Sequence, residues 1–369
     1  MSRRTIEIGL LFSRAGSYAL IASSGRDGAL RAIEEVNADP ALDLTFVPVE
    51  RDPSGNIDLY QALCSEILHD TSARHIIGTT TSWSRKEVIP TLEKVGGTLW
   101  YPCPYEGFEA SDHVVYTHAC PNQHLVPLMD WALPRYGQRA YLVGSNYIWG
   151  WETNRVARDL ILSSGGEVMG ERYLPIGDTD VSRLIDELRA TRPDFVLNSL
   201  IGPSSYEFLS AMAHLRREDP FFAGDSVPVM SCNLTECELS AIGPHAEGLI
   251  SAGPYFRGAE GWPCCGKQVF TSSIEASAFV AVRSLAALLA HRPGAEKLPL
   301  QALLNQPEHA YLGIDKATHH LTLPALIAQV RQGRFDVLAR CEAVPPDPYL
   351  SRRNMHRLSM HPNLTVVSR

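Results

Sequence analysis

Eight cysteines and thirteen histidines carry the widest chemical repertoire of this 369-residue chain, and their spacing decides what they can do. Cys64, Cys103, Cys120, Cys232, Cys237, Cys264, Cys265 and Cys341 are scattered and do not form the dense framework of a small disulfide-stapled domain. They are expected to be mostly reduced, buried thiols that behave as small apolar groups. Cys232-x4-Cys237 and the vicinal Cys264-Cys265 lack the C-x2-C or nearby Cys/His spacing of a zinc centre. His319-His320 does not repair this, because neighbours in an extended segment point to opposite faces. No metal and no cofactor are expected, and neither Gly96-Gly97 nor Gly25-Arg-Asp-Gly28 has the form of a phosphate-binding P-loop. A different chemistry begins at Ser82, just ahead of the amphipathic stretch that starts at Arg85. At a helix start, a hydroxyl and free backbone N–H groups can meet a ligand carbonyl with help from the helix dipole. Equally, Ser82 or Ser84 can simply cap the helix.

Charge narrows the partners. A formal net charge of -8 argues against a nucleic-acid backbone, which needs clustered Lys and Arg. Arg216-Arg217 and Arg352-Arg353 are too short to be more than solvated surface. No segment approaches the roughly 18 consecutive apolar residues of a membrane span, since the apolar helix around Phe279 to Ala290 is broken by Arg283 and Ser284. The opening residues from Met1 run straight into a strand-like pattern without an apolar leader. The expected location is therefore the cytoplasm, with the periplasm as the alternative if a signal peptide has been removed.

Chain length calls for more than one core, because single cores stop growing at roughly 250 to 300 residues. Short apolar runs alternate with longer amphipathic stretches, the pattern of βαβ units around a mainly parallel sheet. A strand over 6–12 precedes a helix with Leu30, Ile33 and Val36 on one face. Strand 44–49, helix 58–68, strand 75–78, the helix after Ser82 and strand 98–101 complete a first lobe. A second series runs through helix 125–133, strand 140–144, helix 152–162, strand 167–174, helix 181–188, strand 195–200, helix 206–216 and strands 227–230 and 248–252. Helix 274–289 is expected to cross back, and His320-Leu-Thr-Leu with Gly333 to Ala339 alternates like an antiparallel ribbon finishing the second sheet. The expected lobes are 1–121 plus 254–312, and 122–253 plus 313–369, joined by three crossings that make a hinge.

The chain resembles the type I periplasmic-binding-protein family from Ile6 to about Tyr349. The strand Ile8-Gly-Leu-Leu-Phe-Ser-Arg-Ala-Gly16 and the helix Gly28-Ala-Leu-Arg-Ala-Ile-Glu-Glu-Val-Asn37 carry the general likeness. Ser84-Arg-Lys-Glu-Val-Ile-Pro90, Tyr101-Pro-Cys-Pro-Tyr-Glu-Gly-Phe-Glu109, Cys120-Pro-Asn-Gln123, Gly144-Ser-Asn-Tyr-Ile-Trp149 and Ala252-Gly-Pro-Tyr-Phe256 are more specific. Among them, Tyr-Pro-x-Pro-Tyr-Glu-Gly is similar to the motif of the branch that holds amide-sensing regulators of amidase expression and related short-chain amide- and urea-binding proteins. The resemblance implies two Rossmann-like lobes with a ligand cleft between them. It places Thr80, Ser82, Tyr101, Cys103 and Pro104 on the first-lobe wall and Tyr147 and Trp149 on the second. Thr80, Cys103 and Trp149 depart from the amide sensor, which has an aromatic, a hydroxyl residue and a tyrosine there, so ligand choice need not be the same.

These side chains have a physical reading of their own. Tyr101, Tyr147 and Trp149 offer flat apolar faces with an O–H or N–H at the rim, which suits a small planar amide; taken singly, each can equally be core. None of the implied positions is charged, and an amino acid would need buried partners for both its carboxylate and its ammonium. A neutral guest is expected, with Glu106 and Glu152 the residues most able to overturn that. Cys103 raises a hydrolytic alternative, since a cysteine beside a base begins acyl transfer from an amide. Its nearest candidate bases, His113 and His118, fall in the following strand, and no triad is marked. No enzyme is expected.

The expected function is a sensor whose open–closed equilibrium is shifted by a short amide or urea. The resemblance implies an RNA-binding antiterminator as its protein partner, with no direct contact between this chain and nucleic acid or membrane. The alternative is the substrate-binding component of an ABC importer for amides, urea or branched-chain amino acids. A homo-oligomer is an admissible assembly.

Overall fold

A computed structural model of the chain describes residues 3–260, 262, 268–306, 310, 312–352 and 365–366. The vicinal pair Cys264-Cys265 and Arg353 lie outside the described residues. Two compact units emerge, one from the described residues of Met1–Cys103, Phe108–Ala119 and Glu260–Leu323, the other from those of Pro104–Gly107, Cys120–Ala259 and Pro324–Arg369.

Along the chain, the first unit begins with β1 (Arg4–Leu11), α1 (Ala19–Ala38), β2 (Leu44–Arg51), α2 (Leu59–Asp70), β3 (His75–Gly78), α3 (Ser82–Val95), β4 (Thr98–Tyr101) and β5 (Val114–Tyr116). These strands form a parallel sheet in the order β2-β1-β3-β4-β5. The chain passes from β1 to β2 in one direction and from β2 to β3 in the other. Right-handed crossovers therefore put α1 and α2 on opposite faces. Covered on both sides, β3, β4 and β5 are buried at every position.

The second unit contributes α4 (Leu125–Tyr136), β6 (Arg139–Ser145), α5 (Ile148–Ser163), β7 (Glu167–Leu174), α6 (Ser182–Thr191), β8 (Phe195–Ser199), α7 (Pro203–Glu218), β9 (Val229–Ser231), α8 (Glu236–Ile242) and β10 (Ile250–Gly253). The chain then returns to the first unit for α9 (Ser273–Leu289) and α10 (Leu300–Leu304), and ends in the second with β11 (Leu323–Arg331), β12 (Arg334–Val344) and β13 (Thr365–Val366). Among the described residues the second sheet runs β13-β12-β11-β10-β9-β8-β6-β7, parallel from β7 to β10 and antiparallel from β10 to β11. Gln332 and Gly333 (φ 52° and 75°) close a two-residue hairpin between β11 and β12, the geometry that matches strand twist. Leu184, Leu188, Phe208, Met212, Val196 and Ala328 sit in one apolar core that covers this sheet.

Helix α9 lies against α1 in the first unit, and small residues make the approach close. A Cβ on Gly28 would stand 2.2 Å from the Glu275 carbonyl oxygen, so only glycine fits. Ser24 and Ser272 share a hydrogen bond of 2.6 Å, and Arg31 reaches the Glu275 carboxylate at 3.2 Å.

Two expectations need correction. Strand β11 starts at Leu323, so His320-Leu-Thr-Leu is not its body. His320 and Leu321 form only isolated bridges, His320 to Tyr116 and Leu321 to Ile314, and the stretch 313–323 clusters with the first unit. Strand Leu323–Val330 is buried at every position, which removes the alternation a sequence reading looks for. In addition, Pro104–Gly107 belongs with the second unit although Tyr101 to Cys103 belong with the first, so the Tyr101 to Gly107 motif is itself a passage between units.

Candidate functional site

In open parallel sheets, ligands collect at the carboxyl ends of strands where the strand order reverses. In the first unit that point lies between β1 and β3, flanked by the segments after each strand, Phe12 to Gly16 and Thr79 to Ser82. In the second it lies between β6 and β8, flanked by Asn146 to Trp149 and Leu200 to Tyr206.

The first unit's wall is built around the start of α3. Thr81 caps it: its Oγ1 accepts from the Ser84 N–H at 3.2 Å, and Ser84 Oγ accepts from the Thr81 N–H at 2.9 Å. Capping thus falls to Thr81 and Ser84, and Ser82 occupies the first helical position, buried. Thr80 turns its carbonyl to the Tyr101 hydroxyl, which donates at 3.1 Å. The Oγ1 atoms of Thr79 and Thr80 are buried without a hydrogen-bond partner among the described residues. Cys103 Sγ lies 3.8 Å from the Thr79 carbonyl oxygen, and burial pushes its thiol up, with Arg85 working the other way. That is the reverse of the thiolate character a nucleophile needs. Of the bases considered for it, His118 pairs with Ser273 (3.1 Å) and His113 with the Gly97 carbonyl (2.7 Å).

Behind Tyr101 is a buried charge network. The Arg85 guanidinium is fully enclosed and sits 4.8 Å over the Tyr101 ring. Its Nε donates to Glu109 Oε1 at 2.8 Å and its Nη2 to Oε2 at 3.4 Å, while Lys86 and the Tyr116 hydroxyl (2.7 Å) also bind Glu109. Burial works to raise the Glu109 carboxyl, but Arg85 and Lys86 outweigh it and hold it down at about 2. Sequence reasoning missed this network, and also Ser13, whose hydroxyl pairs with Tyr60 (2.9 Å) at the end of β1. The signal for Ser13 was its position immediately after a strand.

The second unit's wall starts at Tyr147, the buried N-cap of α5. A Cβ on Gly150 would meet the Ser145 carbonyl oxygen at 2.1 Å, so α5 begins directly on the strand end. Trp149 is buried with its Nε1–H unpartnered among the described residues, its ring 5.9 Å from that of His124. His124 Nε2 bonds the Tyr105 carbonyl at 3.1 Å, its Nδ1 has no partner among the described residues, and burial pushes the imidazole down to about 4. Pro104 and Tyr105 thus stand in the same unit as Tyr147 and Trp149, whereas Thr80, Ser82, Tyr101 and Cys103 stand in the other. Glu106 is buried, and Glu152 is paired with Arg155 at 2.9 Å.

Polar side chains at the ends of β6, β8 and β9 brace this wall. Ser145 Oγ accepts from the Ile201 N–H (3.0 Å), Asn198 reaches Ser205 (2.9 Å), and Asn233 reaches the Leu200 carbonyl (3.2 Å). Beyond them the Tyr206 hydroxyl donates to Glu238 at 3.0 Å. Burial pushes that fully enclosed carboxyl up to about 7, with Tyr206 opposing.

A parallel α/β unit with polar, largely uncharged side chains at its strand-order reversal, present twice in one chain, is what a solute receptor is built from. Residues 6–355 match the model of the periplasmic binding protein domain. The chain belongs to the periplasmic binding protein family. Solved structures agree on the fold of this binding protein. An ABC transporter solute-binding protein from Rhodopseudomonas palustris in complex with p-hydroxybenzoic acid is 18% identical, with a TM-score of 0.75 over 95% of this chain and 100% of that one. The branched-chain amino acid transporter substrate-binding protein of Streptococcus pneumoniae, in complex with isoleucine, is 16% identical, with a TM-score of 0.73 over 93% of this chain and 100% of that one. A periplasmic binding protein from Burkholderia mallei is 12% identical, with a TM-score of 0.76 over 92% and 95%. The binding protein is thus an α/β protein of two lobes with parallel sheets, from a family of small-molecule binders that are generally not enzymes. No helix among its described residues is long and apolar enough to cross a membrane.

Proposed function

We propose that this binding protein takes up a short aliphatic amide, urea or a molecule of like size and neutrality, and releases it chemically unchanged. Thr80, Ser82, Tyr101 and Cys103 of the first unit and Pro104, Tyr147 and Trp149 of the second are the proposed contacts. The observation that carries this reading is the character of the unpartnered buried atoms at the two strand-order reversals. Among the described residues they include the hydroxyls of Thr79, Thr80 and Ser199, the indole N–H of Trp149 and an imidazole nitrogen of His124, all on uncharged groups, with Glu238 Oε2 beyond Tyr206 the ionisable exception. Nearby charges are already matched, Arg85 by Glu109, Arg14 by Glu50 and Arg155 by Glu152. A carboxylate guest would lack a counter-charge, and leaving it unpaired in a buried site is strongly unfavourable. The p-hydroxybenzoate- and isoleucine-bound relatives are therefore guides to role more than to guest.

For the role, those relatives support the substrate-binding component of an ABC importer. A second role, a sensor that signals to an RNA-binding antiterminator, is supported by the resemblance of Tyr101 to Gly107 to the amide-sensing branch. Fractionation of cells that express the full-length gene separates them, with extracytoplasmic protein supporting the importer and cytoplasmic protein the sensor.

A thermal-shift series tests the guest, since a ligand that binds only the folded state raises the melting temperature. Acetamide, propionamide or urea should raise it, while isoleucine and 4-hydroxybenzoate should not. Ser82→Ala and Trp149→Ala should each abolish the shift and leave the ligand-free melting temperature nearly unchanged. A shift with isoleucine or 4-hydroxybenzoate alone would rule out the neutral guest, and a large loss of ligand-free stability would make the two side chains core.

A further inference from the structure

At the amino ends of β3, β4 and β5, the opposite edge of the first sheet from Thr80 and Tyr101, lies a cavity of about 940 Å³. Its described wall collects Arg74, Lys297 and Lys316 against one acid, Asp112, with His113 and Thr98 among the other lining groups. That concentration stands out in a chain of net charge -8 whose lysines are Lys86, Lys94, Lys267, Lys297 and Lys316. Elsewhere in the unit, several arginines are committed to carboxylates: Arg4 to Asp43, Arg26 to Glu50, Arg31 to Glu275, Arg85 to Glu109. Among the described residues no carboxylate pairs with Arg74, Lys297 or Lys316, and Asp112 pairs with none of them.

Arg74 is fixed by the backbone, its Nη1 donating to the carbonyls of Leu68 (3.1 Å) and Ala73 (2.7 Å). The Leu68 contact is an ordinary cap for the carboxyl end of α2. It explains the arginine but not the two lysines, which arrive from remote segments of the chain. The hydroxyl of Ser72, also in the wall, is taken by Glu7, which does not line the cavity.

We propose that this cavity is a second ligand site, for a small multiply charged anion of the phosphate type. Like charges held around a concave surface focus a field that a polyanion neutralises, and each ammonium or guanidinium can give it a charge-assisted hydrogen bond. A single carboxylate would balance only part of the cationic set. The volume falls in the roughly 300–1,000 Å³ range of small-molecule pockets. An inorganic oligophosphate and the phosphates of a nucleotide share this chemistry. The site rests on the amino-end residues alone and does not depend on what occupies the carboxyl-end walls.

Calorimetric titration of the full chain with pyrophosphate, ATP and adenosine at low ionic strength tests it. Pyrophosphate should bind, with an affinity that falls as NaCl is added. Replacing both exposed lysines (Lys297→Ala with Lys316→Ala) should weaken it about a hundredfold, roughly tenfold for each charge-assisted bond. ATP binding more tightly than pyrophosphate would assign a nucleotide, and equal affinities the inorganic group. Absence of binding by either phosphate at millimolar concentration, adenosine binding as well as ATP, or unchanged affinity in the lysine variant would overturn the proposal.

Discussion

Glu109 in the first unit and Glu238 in the second are both shielded from water, yet their carboxyls titrate in opposite directions. Glu109 is surrounded by Arg85, Lys86 and the Tyr116 hydroxyl, and is held down at about 2. Glu238 meets only neutral donors, the Tyr206 hydroxyl and the Thr235 backbone, while its second oxygen has no partner among the described residues, and it is pushed up to about 7. Burial acts in the same sense on both. What differs is whether the sequence supplies a cation, and Arg85 and Lys86 do so one helical turn from the residues proposed to meet the ligand. The first unit thus holds a fixed ion pair under its wall, and the second a carboxyl that is only about half ionised near pH 7.

The largest effect expected is at Glu109. Glu109→Gln leaves the fully buried Arg85 without its counter-charge and should lower stability by about 3–5 kcal/mol in urea unfolding near neutral pH. Because the folded pKa lies below the ordinary value of 4.5, this stabilisation is present above about pH 4.5 and lost as pH falls towards 2. The opposite sign is expected at Glu238. Its folded pKa is raised, so its favourable contribution exists below about pH 4.5 and disappears as pH rises through 7. Glu238→Gln should therefore stabilise the protein by on the order of 1–3 kcal/mol at about pH 8 and by little at about pH 4. Destabilisation at the higher pH would break the contrast. Smallest per residue and per pH unit is an effect the units share. His75 and His124 are pushed down to about 4, and His320 to about 3, mainly by burial. Each stays neutral in the folded protein while the unfolded chain takes a proton below about 6.5, so stability should fall on acidification by about 1 kcal/mol per histidine per pH unit until the folded pKa is reached. Urea midpoints that do not move between neutral and mildly acidic pH would remove burial as the common term.

Much of the fold was legible because buried parallel strands are short apolar runs between amphipathic helices, as at 75–78 and 195–199. Thr80, Ser82, Tyr147 and Trp149 were expected at the site from the resemblance of their motifs to the family, and each lies a few residues past the end of such a run. Strand β11 was not legible, since its strand residues through Val330 are all buried and show no period of two. Capping at α3 stayed open because Thr81, Ser82 and Ser84 can all cap, and only geometry assigns the task to Thr81 and Ser84. The Arg85–Glu109 pair and the Tyr206–Glu238 contact join residues 24 and 32 positions apart. A charged residue in a sequence gives no sign of which distant partner will meet it, so neither was visible. The cationic cavity was hidden for the same reason, its lysines lying far along the chain from Arg74.

The seam between α1 and α9, closed around Gly28, also governs how this protein comes into being. Emerging from a ribosome, α1 must wait until residues near 289 have been made before it can be covered. The second unit is interrupted in the same way, because β11 and β12 are synthesised after α9. Neither half can be finished while the other is still unmade, so the nascent chain carries exposed apolar helix and strand surface for most of its synthesis, which is when chaperones are most needed. Cutting the gene at 120 should yield a fragment that aggregates, whereas a circular permutant that brings α9 next to α1 should fold its first unit early.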